Sequence, residues 1–161
     1  MDVGHFYYLD NQYYIDFPDS LLMQNKAMVN GQPHNRPCFC AFEDKTTGLH
    51  WMIPISHEVS KYQNIYNDKV QKYGYCNTIV FGDVLGYKKA FLIQNMCPVV
   101  LKYISCEYID KKSNTPVRVN GAFEKKLIKT AKKVLNLQRA GVRLIFPDVL
   151  RIESELLKQN N

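Results

Sequence analysis

The stretch Trp51-Met52-Ile53-Pro54-Ile55-Ser56-His57-Glu58-Val59-Ser60-Lys61 ends an apolar run in a dense polar group. A strand that stops at Pro54-Ile55 would present Ser56, His57, Glu58, Ser60 and Lys61 from a rigid base. A histidine gives or takes a proton near neutral pH, so His57 is a candidate acid or base. Lys61 is a candidate for steadying charge on a phosphorane-like transition state. Ser56 is a candidate hydrogen-bond donor to a phosphate oxygen. The plainer alternative is a polar loop whose Ser56 caps a following helix, although Ser-x-x-Ser lacks the Glu of a full capping box. Taken one at a time, each of these residues is explained better by that alternative. Arg36 stands just before Pro37, which holds it extended. Its guanidinium suits bidentate phosphate binding, and a structural ion pair explains it equally well.

A second group is a run of lysines. Between Glu124 and Arg139 there are six cations, Lys125, Lys126, Lys129, Lys132, Lys133 and Arg139, against the single acid Glu124. Solvated helix faces usually mix signs, with Glu four residues before Lys. A face this one-sided repels itself unless an anion lies on it, which favours polyanion binding over simple solvation. Binding through it would weaken with salt. Eleven tyrosines give further candidates, because exposed rings beside cations stack on the bases of single-stranded RNA. Tyr62 and Tyr66, spaced i, i+4 beside Lys61, are the best placed, and Tyr87-Lys88-Lys89 forms a smaller basic–aromatic group.

These residues must be positioned by a fold, and 161 residues suffice for one domain, read as spanning 1–161. Hydrophobic residues make up 46%, enough for a globular core. The formal net charge of +6 suggests a polyanionic partner, RNA or DNA before an anionic membrane. No apolar run approaches the roughly 18–20 residues of a membrane span, and Met1–His5 lacks the basic and apolar regions of a signal peptide. Five cysteines, an odd number with no Cys-x-x-Cys pair, read as buried free thiols in a reducing cytoplasm. Four histidines without His-x-x-x-His spacing argue against structural zinc.

Residues 5–17 read as a β-hairpin broken at Asp10-Asn11-Gln12. A short helix is expected around Leu21–Met28, then a loop through Asn30-Gly31. Cys38–Glu43 and Leu49–Ile55 read as a hairpin joined by a glycine-containing loop. Ser56–Lys72 leads into a helix. Thr78–Phe81 and Ala90–Asn95 read as strands, Val99–Ile109 as a long strand and Pro116–Val119 as a short one. The clearest element is a helix from Ala122 to Arg139, with Phe123, Leu127, Ile128, Ala131, Val134 and Leu135 on one side. Asn120 is its expected N-cap and Gly141 its stop. Pro147-Asp148 starts a last helix with Val149, Ile152 and Leu156 inward. The fold class is α+β, a strongly curved antiparallel sheet with flanking helices.

The sequence has no phosphate-binding glycine loop, no acidic cluster for two-metal chemistry and no Gly-x-Ser-x-Gly elbow. A nuclease built from this chain would therefore work without metal or cofactor, through attack of the RNA's own 2′-OH on the adjacent phosphate. That route needs a base, an acid and a cation clamp.

The order of motifs resembles the toxin subunits of type III toxin–antitoxin systems, the ToxN/AbiQ-like endoribonucleases, and most closely the CptN branch. The resemblance spans residues 5 to about 109. It rests on His5-Phe6-Tyr7-Tyr8, on Asn35-Arg36-Pro37 before an apolar strand, on Trp51–Ser56 with the basic segment ending at Lys61, and on Ala90–Val99 with its Met-x-Pro-Val end. It implies a strongly bent sheet related to the Kid/MazF-like barrel. It implies a metal-independent endoribonuclease leaving 2′,3′-cyclic phosphate ends, inhibited by a small structured RNA antitoxin that the toxin cuts from a repeat transcript. Toxin and RNA can alternate in a closed ring in this family.

Carried over residue by residue, Ser56 matches the family serine. The family lysine two positions later has no counterpart, since Glu58 stands there, so either Lys61 takes its place or His57 does the acid–base work. Arg36 lies at the basic strand entrance, and Tyr8 lies near the family's active-site tyrosine. The expected catalytic set is therefore Ser56, His57, Lys61, Arg36 and Tyr8, with no metal. The expected RNA-binding set is Tyr62, Tyr66, Lys88, Lys89, Lys125, Lys129, Lys132 and Lys133, acting on antitoxin and cellular RNA in the cytoplasm. Two rivals stand beside this reading: a non-catalytic RNA-binding module, and a toxin or defence component neutralised by an acidic protein.

Overall fold

The computed structural model describes residues 1–29 and 31–159. The first strand, β1 (Phe6–Leu9), stops at Asp10, whose carboxylate accepts a hydrogen bond from the Gln12 amide and caps helix α1 (Asn11–Asp16). The hairpin expected over 5–17 is therefore a strand and a helix. The polar break is an N-cap rather than a turn. The helix expected near Leu21–Met28 is also absent. Strands β2 (Lys26–Val29) and β3 (Gln32–Asn35) pair there as a separate ribbon. An eight-residue helix is marginal alone, and pairing offers the backbone a better alternative. Asn30, part of the expected loop, lies outside the described residues.

The β4 (Pro37–Asp44) and β5 (Leu49–Ser56) hairpin forms as expected and is the centre of the molecule. Helix α2 (Val59–Tyr73) follows, then β6 (Ile79–Val84) and β7 (Tyr87–Leu92), which join in a tight turn. The long strand expected over Val99–Ile109 is broken. It divides into β8 (Cys97–Val99), a 3₁₀ turn at Leu101–Tyr103, β9 (Ile104–Glu107) and β10 (Ile109–Asp110). The 3₁₀ turn drives Tyr103 inward. Its ring meets Tyr13 and Phe17, and its hydroxyl donates to the Asp16 carboxylate. β10 pairs with β11 (Thr115–Pro116), at the start of the short strand expected over 116–119.

The main sheet has seven antiparallel strands, in the order β6-β7-β5-β4-β1-β9 with β8 also on β5. β5 is buried along almost its whole length. It pairs with β8 through His50–Met52 and with β7 through Ile55 and Ser56. Pro54, which has no N–H to give, falls in the gap where the strand changes partner. β6 and β9 are the outer strands and do not pair with each other among the described residues. The sheet is thus open where a closed barrel was the expectation.

Helix α3 (Gly121–Arg139) covers the sheet much as its periodicity predicts. Leu127, Ala131, Val134 and Leu135 are buried, the five lysines are exposed, and the Asn120 side chain accepts from the Ala122 and Phe123 amides. Gly141, at φ +98°, ends it. Arg139 ties its last turn to Asp44 at 2.8 Å, to Glu153, and to the Trp51 ring. Helix α4 (Val149–Gln159) buries Val149, Ile152 and Leu156 as expected.

Where α3 begins, the Phe123 ring lies on Gly82 of β6. A Cβ at Gly82 would sit 2.3 Å from Phe123 Cζ. Gly82→Ala should therefore destabilise the protein by roughly 1–3 kcal/mol through overpacking. A thermal or urea melt that matched wild type would contradict this contact.

All five cysteines are free. Cys38, Cys40 and Cys97 are buried, Cys76 is half-buried, and Cys106 is exposed, against the expected burial. No helix among the described residues is long and apolar enough to cross a membrane.

Candidate active site

Antiparallel pairing brings four strand ends to one edge of the sheet. Tyr8 of β1 stands opposite Pro37 at the start of β4, Cys38 stands opposite Pro54 of β5, and Ser56 stands opposite Ala90 of β7. Continuing that last register one residue places His57 beside Lys89. Around these ends lies a cleft of about 330 Å³. Its chemistry comes from Tyr8, Arg36, His57, Lys89, Tyr108 and His34.

Arg36 is only 9% exposed. Its Nε donates to the Gln24 carbonyl at 3.1 Å and its Nη1 to the Ile55 carbonyl at 2.8 Å. Among the described residues no carboxylate pairs with it. The structural ion pair that competes with phosphate binding in the sequence reading is thus not formed. Two backbone carbonyls fix the fork, which has further N–H donors, and Arg36 lines the cleft. Burying a cation without an anion is costly, and an arriving phosphate would relieve that cost.

Burial, and then the neighbouring Tyr108 and Cys106, push the Tyr8 phenol up to about 12. Tyr8 therefore keeps its proton at neutral pH and acts as a hydrogen-bond donor, not a base. Its ring meets Tyr108 edge to face at 5.6 Å. Burial also pushes Tyr108 up, with help from Asp110. On the other wall, the β6–β7 turn holds Leu85 and Gly86 at φ +51° and +82°. A leucine in this left-handed region is strained, yet it stands on the rim of the cleft with Tyr87.

Desolvation alone lowers the Lys89 ammonium below the ordinary lysine range. The charge is lost as pH rises through that lowered value, so a clamp built on Lys89 weakens at a lower pH than an exposed lysine would. Lys89→Arg, which keeps its charge to above about pH 12, should move the alkaline fall in RNA cleavage upward. Lys89→Ala should weaken cleavage already at neutral pH. An alkaline limb unchanged in Lys89→Arg would remove Lys89 from the chemistry.

The other expected residues lie elsewhere. Ser56 is buried and does not line the cleft. Its Oγ accepts from the Glu58 amide at 3.2 Å, a local turn ahead of α2, whose N-cap is Glu58 and has no side-chain cap, so Ser56 does not cap the helix either. Lys61 is exposed on the first turn of α2, where it pairs with Glu58 at 3.7 Å and lies over the Tyr62 ring. Tyr62 is buried against Ile79, Ala90 and Leu92, so it is not free to stack on a base. Tyr66 is half-buried with its ring edge-to-face with Phe81 at 5.7 Å. Lys88, next to Lys89 but on the other face of β7, reaches over Phe81. Lys125, Lys129, Lys132 and Lys133 are exposed along α3 and line no part of the cleft. His34, Tyr108 and Leu85 are lining residues that no sequence pattern singles out. Among the described residues, no group of three or more His, Cys, Asp or Glu could hold a metal ion.

The sequence matches no protein-family model and no curated protein. A solved structure does match. The fold is similar to that of AbiQ. AbiQ is described as a lactococcal anti-phage endoribonuclease belonging to the type III toxin–antitoxin system. It aligns with 99% of this chain and 100% of its own, with a TM-score of 0.69 and 13% identity. At that identity AbiQ shares the fold, and function has to be argued from the cleft.

Proposed function

We propose that the protein is an endoribonuclease toxin of the type III kind, related to the CptN branch, that cuts RNA in the cytoplasm with protein groups alone. The observation that carries this reading is Arg36, nine-tenths buried and, among the described residues, without a carboxylate partner, in a cleft that also holds His57, Lys89 and Tyr8. The AbiQ-like fold and the motifs around residues 5–99 support it.

In this mechanism His57 takes the proton from the 2′-OH. The 2′-oxygen bonds to the neighbouring phosphorus, the bond from phosphorus to the 5′-oxygen breaks, and that oxygen leaves with a proton taken from solvent water in the open cleft. The products are a 2′,3′-cyclic phosphate and a 5′-OH. Arg36 and Lys89 hold the non-bridging oxygens as their charge grows, Tyr8 donates to one of them, and Tyr87 and Tyr108 flank the bases. Ser56 acts from behind, fixing the backbone that carries His57. A small structured RNA, cut from a repeat transcript, is the antitoxin. Its backbone lies on Lys125, Lys129 and Lys132, and toxin and RNA alternate in a ring.

Purified protein incubated with mixed RNA and EDTA should produce fragments with cyclic phosphate ends. Tight RNA binding without cleavage, in protein freed of copurified RNA, would instead favour a non-catalytic binding module.

A further inference from the structure

A second groove, of about 560 Å³, opens between the end of α2, the end of α3 and the segment before α4. It shares no lining residue with the Arg36 cleft. Helix α2, about 22 Å long, starts two residues after His57 of the cleft and ends at Tyr73 of the groove.

Three aromatic rings in it are open to solvent: Tyr73 is 60% exposed, Tyr75 64% and Phe146 40%. Rings this exposed contribute little to the core; Lys72 lies over Tyr73 at 5.1 Å, and among the described residues none of the three meets another aromatic ring. The cations lining the groove are Lys69, Lys133 and Arg143, and no carboxylate lines it. Lys69 is held by the neutral oxygens of Thr78 and Gln94, both at 2.9 Å, with its ammonium 5.4 Å from the Phe146 centroid. Among the described residues, neither Lys133 nor Arg143 forms an ion pair. Lys133 also belongs to the lysine face of α3, so that one-sided cationic ridge runs directly into the groove. An acidic peptide would satisfy the cations and leave the rings unused. A nucleotide satisfies both.

We propose that this groove takes an unpaired base of the RNA whose backbone follows the α3 lysines. The base stacks on Tyr73 or Tyr75, and Arg143 holds a flanking phosphate. The choice of RNA as the polyanion rests on the endoribonuclease reading, but the groove is separate from the cleft and can be tested apart from it.

The test compares wild type with Tyr73→Ala/Tyr75→Ala, Tyr73→Phe/Tyr75→Phe and Arg143→Glu, each checked by thermal melting. Two RNAs are used: a short oligonucleotide that fills only the Arg36 cleft, and a long single strand that can reach both sites. The alanine pair should weaken binding of the long RNA by about tenfold or more, the phenylalanine pair should restore it, and Arg143→Glu should reduce the salt slope by about one. Cleavage of the short RNA should stay unchanged in all three. Long-RNA affinity equal to wild type in the alanine pair would overturn the proposal. So would weakening by Arg143→Glu alone, which would make the groove a phosphate rail or an acidic-protein site. If wild type cleaves neither RNA while the alanine pair still weakens binding, the endoribonuclease reading fails and the groove stands.

Discussion

Arg36→Ala is expected to lower RNA cleavage by about 10²–10³-fold, the usual loss when one preorganised donor to a developing oxyanion is removed. The side chain is fixed before substrate arrives, by the Gln24 and Ile55 carbonyls, so little reorganisation is needed during the reaction. The same two bonds give the residue a structural share. Their loss leaves two carbonyls to find water, at about 1–3 kcal/mol. Melting curves measure that share, and single-turnover cleavage on saturating RNA measures the other. Arg36→Lys separates them further, since it keeps the charge and loses the planar fork. It should fall between alanine and wild type in rate. A variant that melts lower but cleaves at the wild-type rate would make Arg36 a structural residue only.

The second large effect is expected at His57. It is exposed in the cleft, so His57→Ala should leave stability within about 0.5 kcal/mol. Cleavage should fall by about 10²–10⁴-fold, the range of a positioned acid or base. The role assigned to it is that of base. An RNA whose scissile 5′-oxygen is replaced by sulfur needs no acid for its leaving group. Such a substrate should remain slow with His57→Ala. Recovery to near the wild-type rate would make His57 the acid instead.

Elements with strong local signals are legible from the sequence. Helix α3 declares itself by its apolar spacing, its Asn120 cap and its lysine face, and the β4–β5 hairpin by two apolar runs around a polar loop. Sequence and structure part where one residue type serves two structures. Asp10-Asn11-Gln12 has the composition of a turn, but Asp also caps helices, and in this fold it does. The apolar stretch from Val99 to Ile109 looks continuous, and only the tertiary contacts of Tyr103 explain why it breaks.

The candidate site is legible in part. Arg36, His57 and Tyr8 do meet in one cleft. Lys61 is attractive because it is near Ser56 in sequence, yet α2 starts at Val59 and carries it onto an exposed face. Lys89 reads from the sequence as an outlying RNA contact. Its place beside His57 depends on the pairing of β5 with β7, a contact between residues more than thirty positions apart that no local pattern reveals. Tyr62 and Tyr66 illustrate the same limit: their spacing shows a shared helix face, but not that this face turns inward.

In the proposed reaction the attacking group belongs to the RNA. An RNA cleaved at a mapped site should be remade with a single 2′-deoxynucleotide 5′ to the scissile phosphate. Binding should be unchanged and cleavage at that position should be lost. Cleavage there at the original rate would contradict 2′-OH attack and, with it, the catalytic roles of Arg36, His57 and Lys89.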